Sequence, residues 1–419
     1  MIYLLTLTPL AIVLFVYSLK SPYRLVALHL IGRGVIDSIN EYTYIGLVGG
    51  MSIAKLYSVF YIGVFIFYIV YKKYALHVSL ALVITVYIFI ALISSVMTEY
   101  QSGFMTFSTK WIYFYLLLVV AIQLGKNYNS GQLSTLLLLV SIYPIINQLL
   151  LAIIQGPKCI PGQVICSYVG SFYHESELAS WIFIYILGTA IGLSYFTGIK
   201  KKVCMLLFVV GVFSLYLNGY RTATLALAIF IFLMYIRNFK KIHLLANVSI
   251  LLFALGMIGV FHDKLLSIIS VYIEDIILFV NNPSEYFSFS TQPIKSDLFS
   301  GRLYLFNQIL YLYYDGGILV YLFGIGPEAI SYIIGTFAHN EYISTLVELG
   351  FIGFMIFSIL LFKAYYMIKS NNKYVYESMF ISVLITALAT MPFHDLRALI
   401  LMSLVIGFAY GEKYKLKSL

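Results

Sequence analysis

Apolar residues fall in long blocks, separated by short polar or basic stretches. The blocks lie near 2–19, 25–48, 52–71, 77–97, 107–124, 132–154, 178–198, 203–218, 222–236, 244–261, 347–368, 375–391 and 397–411. Most are close to the roughly 20 residues a helix needs to cross a bilayer. A membrane β-barrel would instead show short alternating strands. The pattern predicts an all-α polytopic membrane protein of about 12–13 helices. The block 25–48 is the weakest because it carries Arg33, Asp37 and Glu41. The first block has neither a basic leader nor a small-residue cleavage site, so it is expected to be a retained span.

Charge then orients the chain. Lys72-Lys73, Lys126, Lys200-Lys201-Lys202, Arg237 with Lys240-Lys241, Lys369 with Lys373, and Lys413, Lys415 and Lys417 all fall on one side if every later block crosses. By the positive-inside rule that side is cytoplasmic, with the C-terminus inside. Lys20 and Arg24 favour an outer N-terminus with 13 spans; a non-spanning 25–48 would give 12 and an inner N-terminus. The outer side receives 98–106, 155–177, 219–221, 262–346 and 392–396. Segment 262–346 is too long for a connector. Within it Leu303–Tyr314 is apolar and aromatic at helical spacing, ended by Asp315-Gly316-Gly317, and is expected to lie at the outer interface.

Composition agrees: 62% of residues are hydrophobic and 10% charged, against roughly 25% charged in soluble domains. The chain reads as one transmembrane domain over 1–419, with 262–346 a large outer loop inside it. Its formal charge of +9 sits mostly in loops that set topology, so nucleic acid is not an expected partner and membrane lipids are. Cys159 and Cys166 flank a short outer turn and are candidates for a disulfide, whereas Cys204 lies in a span as an apolar filler.

Chemistry-bearing side chains gather at the outer ends of spans. Arg221 lies in Asn218-Gly219-Tyr220-Arg221, a turn of almost no length whose positive charge opposes the topology rule. It is either an interfacial arginine reaching lipid phosphate or a fixed cation for an anionic substrate. Arg302 follows a Ser-Gly turn and opens a helix, the end where a cation is least favoured by the helix dipole. An external anion would explain it. His339 precedes a helix in a glycine-rich loop and is a structural histidine or a general base. Asn340 either caps the following helix or meets sugar hydroxyls. Gly170–Glu177 leads into a span with His174, Glu175, Ser176 and Glu177, where ordinary helix capping competes with function. Pro392-Phe393-His394-Asp395-Leu396-Arg397 forms the last outer hairpin, a supporting network or a polar turn. No phosphate-binding loop and no outer cluster with metal-ligand spacing occurs, so no cofactor or metal is expected. A pre-activated substrate such as a lipid-linked diphosphate sugar fits that set.

Gly-Tyr-Arg-Thr-Ala after a span, Ser-Gly-Arg opening an outer helix, Phe-Gly-Ile-Gly, and His-Asn-Glu-Tyr followed by Glu-Leu-Gly-Phe-Ile-Gly resemble, in that order, the O-antigen polymerase and O-antigen ligase superfamily. Gly-Ser-Phe-x-x-Glu-Ser before a span is similar to a further feature of it. The set covers roughly residues 170–353; His174 and Tyr220 have no clear counterpart in the family pattern. The resemblance implies a metal-independent, GT-C-like membrane glycosyltransferase of the bacterial inner membrane, acting at the periplasmic face on an undecaprenyl-diphosphate-linked glycan. Arg221 and Arg302 would hold the leaving diphosphate, and His339 would activate the acceptor hydroxyl. Asn340, Glu175, Tyr342 and Arg397 are the candidate substrate-binding residues. A polymerase is expected first, a ligase that transfers the glycan to lipid A–core second. A chain-length regulator is a candidate partner. A polysaccharide transporter or flippase is the rival of another class; it would place charges near mid-span in symmetric halves, and Arg33, Asp37 and Glu41 are the residues it would claim.

Overall fold

The computed structural model describes residues 13, 15–48, 51–98, 102–158, 167–238, 302–369 and 374–417. Its helices are α1 (Pro22–Ser38), α2 (Asn40–Thr43), α3 (Ile53–Tyr71), α4 (Val78–Val96), α5 (Ser102–Asn127), α6 (Ser130–Ile154), α7 (Glu175–Tyr195), α8 (Gly198–Asn218) and α9 (Arg221–Asn238). They continue as α10 (Arg302–Asp315), α11 (Gly317–Phe323), α12 (Ala329–Ile334), α13 (Glu341–Ile368), α14 (Tyr374–Thr386) and α15 (Leu396–Lys417). One small hairpin pairs β1 (Gly46–Val48) with β2 (Met51–Ser52). Six helices, α3 to α7 and α13, are long and apolar enough to cross a membrane among the described residues, and the chain is a multi-pass membrane protein. The expected span 244–261 and the two cysteines Cys159 and Cys166 lie outside the described residues.

The helix ends follow local chemistry. Ser21 caps α1 ahead of Pro22, whose missing N–H costs nothing in a first turn. Asn129 and Gln132 form a reciprocal capping box on α6. Gly219, at φ +72°, ends α8 and lets the chain turn straight into α9. Large apolar side chains such as Val70 and Ile153 point outward; in a bilayer these faces meet lipid rather than water.

The last helix is the central one. From Leu399 to Ala409 nearly every side chain of α15 is buried, and its longest packing partner is α5. Gly407 and Gly411 on α15 meet Ala121, Ile122 and Gly125 on α5 with almost no room for a Cβ. Small residues here let two backbones approach, as membrane helix pairs require. Ser403 Oγ also donates to the Phe114 carbonyl across this contact (3.1 Å).

Two expected spans differ in detail. The block 25–48 ends as a helix at Ser38, and the chain then breaks into α2 and the hairpin. Arg33 and Asp37 are nonetheless buried, because they face the bundle and pair with each other. The block 347–368 is longer and interrupted: α13 starts at Glu341 and leaves helical geometry at Gly350, φ +68°. The carbonyls freed there are satisfied by a second glycine turn, with Ile325 N donating to Val347 O and Gly326 N to Glu348 O (both 3.0 Å). Ser94 Oγ donates to the same Glu348 carbonyl (2.9 Å). Phe-Gly-Ile-Gly and Glu-Leu-Gly therefore meet backbone to backbone, and a broken helix persists because protein supplies the partners that lipid lacks.

Helices α10 to α12 carry a small core of their own. Leu305, Ile309, Tyr313, Ile325, Ala329, Ile330, Ala338 and Val347 bury one another over the start of α13. The expected helix in Leu303–Tyr314 is α10, and it ends at the Gly316-Gly317 turn as its sequence requires.

Gly350→Ala and Gly198→Ala should separate two penalties. Both residues sit at positive φ, which costs an L-residue roughly 1–2 kcal/mol. A Cβ on Gly350 would also overlap the Leu322 carbonyl, whereas nothing surrounds Gly198. Thermal melts of the detergent-purified protein should show a small loss for Gly198→Ala and a clearly larger one for Gly350→Ala.

Candidate functional site

The polar residues collect at one end of the bundle. Arg237 near the end of α9 pairs with Glu377 near the start of α14 (2.6 Å), so the two packed helices run antiparallel. Arg221 at the start of α9 therefore points to the end where α14 runs out. There the Ala387 carbonyl accepts from Glu341 N (2.9 Å) and the Leu388 carbonyl from Asn340 Nδ2 (2.9 Å). Asn218 Nδ2 donates to the Glu175 carbonyl (2.9 Å), which brings the α8–α9 turn against the start of α7. The starts of α7, α9, α13 and α15 and the end of α1 thus share one face. At the opposite end Lys126 stacks on Tyr414, Lys413 reaches the Lys369 carbonyl, and Arg24 and Lys200 line one groove. That is the end the charge pattern assigns to the cytoplasm.

A buried ionic network closes the first face. Asp37 accepts from Arg33 Nη2 (2.9 Å), Arg397 Nε (2.9 Å), Trp181 Nε1 (3.2 Å) and Tyr44 Oη (2.9 Å). Arg397 also reaches Glu177 (2.9 Å), Asp395 (3.0 Å) and the Tyr44 hydroxyl. Two guanidiniums thus face three carboxyl groups. Arg33 Nη1 donates to Ser58 Oγ (2.9 Å) and the Ala54 carbonyl (3.2 Å), while its Nε has no hydrogen-bond partner among the described residues. Such charges survive at membrane depth only when paired.

A second cluster lies beside it. His394 Nδ1 meets Glu341 Oε1 (2.9 Å) and Nε2 meets Glu348 Oε2 (3.2 Å), while Phe393 N donates to Glu341 Oε2 (2.9 Å). The carboxylates stand on opposite nitrogens of one ring, so they clamp it and do not converge on a common ion. Among the described residues no group of three acidic, histidine or cysteine side chains has metal-holding geometry. Burial alone would lower the His394 pKa, but Glu341 and Glu348 outweigh it and raise it to about 10. The ring is therefore a cation at neutral pH.

Arg221 is exposed at the first turn of α9, three residues after Asn218, and the His174 and Tyr220 rings meet edge to face beside it. His339 is exposed and held at φ +51°, an unusual conformation for a residue with a Cβ. The next residue, Asn340, caps α13 by accepting from Tyr342 N and Ile343 N (both 3.0 Å). Tyr342 donates its hydroxyl to the Leu384 carbonyl (3.0 Å). Glu175 accepts from Ser167 Oγ (2.8 Å) and lies near His174 Nε2 (3.4 Å). Arg397 is 6% exposed with its guanidinium committed to protein carboxylates, the geometry of an internal tie. Arg302 opens α10. Arg221 and His339 thus emerge at one end, the hairpin between α14 and α15 stitched to the helix that follows His339. The sequence reading gave Asp37 only to a transporter, Glu177 to helix capping or function and Asp395 to a supporting network or polar turn, and singled out neither Glu341 nor Glu348 beyond the family motif. The signal was there in Arg33-x-x-x-Asp37, two opposite charges one helical turn apart inside an apolar block.

A family model described as O-antigen ligase matches residues 206–358. The match takes in Arg221, Arg302 and His339, and it supports the O-antigen ligase/polymerase superfamily. No curated protein matches the chain.

Removing one partner of a buried pair strands the other, at about 3–5 kcal/mol. Arg397→Met and Asp37→Asn should each lower the melting temperature strongly, and the double variant should lose less than the sum. For His394 the folded pKa, about 10, exceeds the free-chain value of roughly 6.5. Its stabilisation is complete below the lower value and is lost as pH rises through the higher one. Melts of the native protein should fall across that alkaline window, and His394→Gln should flatten that fall.

Proposed function

We propose that the chain is a membrane glycosyltransferase that transfers a glycan from a lipid diphosphate at the outer face, acting as an O-antigen polymerase. The observation that carries this reading is the convergence at one end of the bundle of Arg221, exposed in a turn too short to need it, with the helix start that bears His339. Both fall inside the stretch matched by the O-antigen ligase family.

The chemistry follows from the donor. The diphosphate is already a good leaving group, so the protein must supply charge stabilisation and a base. The acceptor hydroxyl gives its proton to His339 as its oxygen bonds to the anomeric carbon. The bond from that carbon to the phosphate oxygen breaks, and the electron pair leaves with the diphosphate. Arg221 and Arg302 take up the charge that develops there; a planar guanidinium matches phosphate oxygens in pairs. The Gly324–Gly350 contact and the His394–Glu341 clamp keep the helix behind His339 from shifting, which matters because small misplacements are costly in group transfer. Undecaprenyl diphosphate is the expected lipid, the bacterial inner membrane the expected site, and a chain-length regulator an expected partner.

The ligase reading stands second, favoured by the description of the matching family. It differs only in the acceptor, lipid A–core instead of a new lipid-linked repeat unit. A transporter reading would use Arg33, Asp37 and Glu41; the ties of Arg33 and Asp37 to each other, to Arg397 and to Tyr44 argue for a static role.

Complementation separates these readings. Expressed in a polymerase-null strain, the chain should restore the lipopolysaccharide ladder on a gel; restoration only in a ligase-null strain would reassign it. Arg221→Ala, Arg302→Ala and His339→Ala should each erase the ladder at unchanged protein level, with Arg221→Ala slowing transfer on the order of 10²–10³-fold. Normal ladders from all three would remove the mechanism.

A further inference from the structure

Beyond the cation that would meet a diphosphate, the same face carries a cavity with no excess charge. It measures about 360 Å³ and lies between the end of α1, the end of α6 and the loop 167–174. That is the lower part of the range for ligand pockets, roughly 300–1,000 Å³. Its walls present Asn40, Glu41, Tyr42, Gln155, Lys158 and Ser171. In a chain this apolar, a hollow lined by an acid, an amine, two amides and two hydroxyls is unusual. One acidic and one basic side chain leave no excess charge, so a diphosphate gains nothing there.

The floor is built, and the rim is open. Asn40 is buried and donates Nδ2 to the Ser171 carbonyl (3.2 Å), while Ser171 N (3.2 Å) and Oγ (2.9 Å) both donate to Asn147 Oδ1. Gly170, at φ +61°, lets the loop lie against Gln148, where a Cβ would crowd the backbone. The next helix residue before this floor is Ser38, adjacent to Asp37 of the ionic network. On the rim, Tyr42 is 72% exposed and the Glu41 carboxylate has no hydrogen bond or ion pair among the described residues. The Lys158 ammonium makes a long contact to the Tyr173 carbonyl (3.4 Å) and lies over the Tyr173 ring (5.5 Å). A ring face, a carboxylate and an ammonium around neutral hydroxyl and amide groups suit the apolar faces and vicinal hydroxyls of a sugar.

The loop 167–174 also joins this cavity to the other half of the face. Tyr168 N donates to the Leu217 carbonyl (2.9 Å) and the His174 ring meets Tyr220, next to Arg221. We infer that the cavity around Glu41, Tyr42 and Lys158 is a subsite for uncharged sugar residues of the glycan whose diphosphate or acceptor end lies near Arg221. This rests on the glycosyl-transfer reading and adds to it a place for sugars away from the reacting bond.

The test reads occupancy, not activity. A chain with Cys159, Cys166 and Cys204 replaced by serine receives either Glu41→Cys or Tyr332→Cys, the latter exposed outside the cavity. Each also carries His339→Ala, so that bound glycan is not consumed. Labelling by a membrane-impermeant maleimide is timed in a host that makes lipid-linked repeat units and in one that cannot. At a ligand level ten times Kd, labelling of Glu41→Cys should slow about tenfold, with Tyr332→Cys unchanged. Equal labelling in these two hosts and in a host with truncated lipid A–core overturns the subsite, as does equal protection at both positions. Protection that persists without lipid-linked repeat units, and disappears in a host with truncated lipid A–core, assigns the sugar to the core instead of the lipid-linked glycan. A ladder that survives His339→Ala sinks the transfer reading; a ladder lost with Glu41→Cys unprotected sinks only the subsite.

Discussion

Asp37 and Arg397, 360 residues apart, form the pair on which this end of the bundle depends. Two guanidiniums and three carboxyl groups are expensive to hold inside a membrane bundle. They are tolerable because each charge is met by others at hydrogen-bond distance, with Tyr44 and Trp181 adding donors to Asp37. The result ties the end of α1 to the starts of α7 and α15. Exchange of the network for apolar side chains need not destabilise the protein, since buried pairs often only offset their own desolvation. What the charges supply is register: a helix that slid by one turn would strand a guanidinium.

The second constraint is backbone. Gly324 and Gly350 let a loop enter where α13 breaks, and the freed carbonyls find N–H partners there. His394, clamped by Glu341 and Glu348, then fastens the last hairpin to the same helix start. From His394 to Arg397 the chain passes in four residues from one cluster to the other. One short hairpin therefore sets how the helix behind His339 sits relative to the turn that carries Arg221.

Much of this was legible in the chain. Among the described residues block lengths found most of the long helices, though 25–48 stops as a helix at Ser38, because span length and apolarity are local properties. The Ser-Gly turn and the Asp315-Gly316-Gly317 punctuation found the limits of α10. The basic loops grouped correctly at one end. The contacts that matter most were not legible. Nothing local in Asp37 names Arg397 as its partner, and Arg33 and Asp37 looked like a defect in a span when they are its buried face. The break at Gly350 sits inside an apolar run whose composition reads as continuous helix; only the approach of Phe-Gly-Ile-Gly explains it. Asn340 was readable as a cap, since an asparagine ahead of a long apolar helix has that role available within three residues. Arg397 was readable as polar and outer-facing, but its burial among carboxylates required knowing which helices meet.

The central claim is spatial: Arg221 and His339 belong to one site that opens at one face of the membrane. It is tested most directly by chemical cross-linking in intact cells. In a chain otherwise free of cysteine, Arg221→Cys and His339→Cys are combined and treated with a short, membrane-impermeant bis-maleimide. The account predicts an intramolecular link, seen as protection of both cysteines from later labelling and as one joined peptide by mass spectrometry. Ready modification of each cysteine singly, with no link between them, would contradict it.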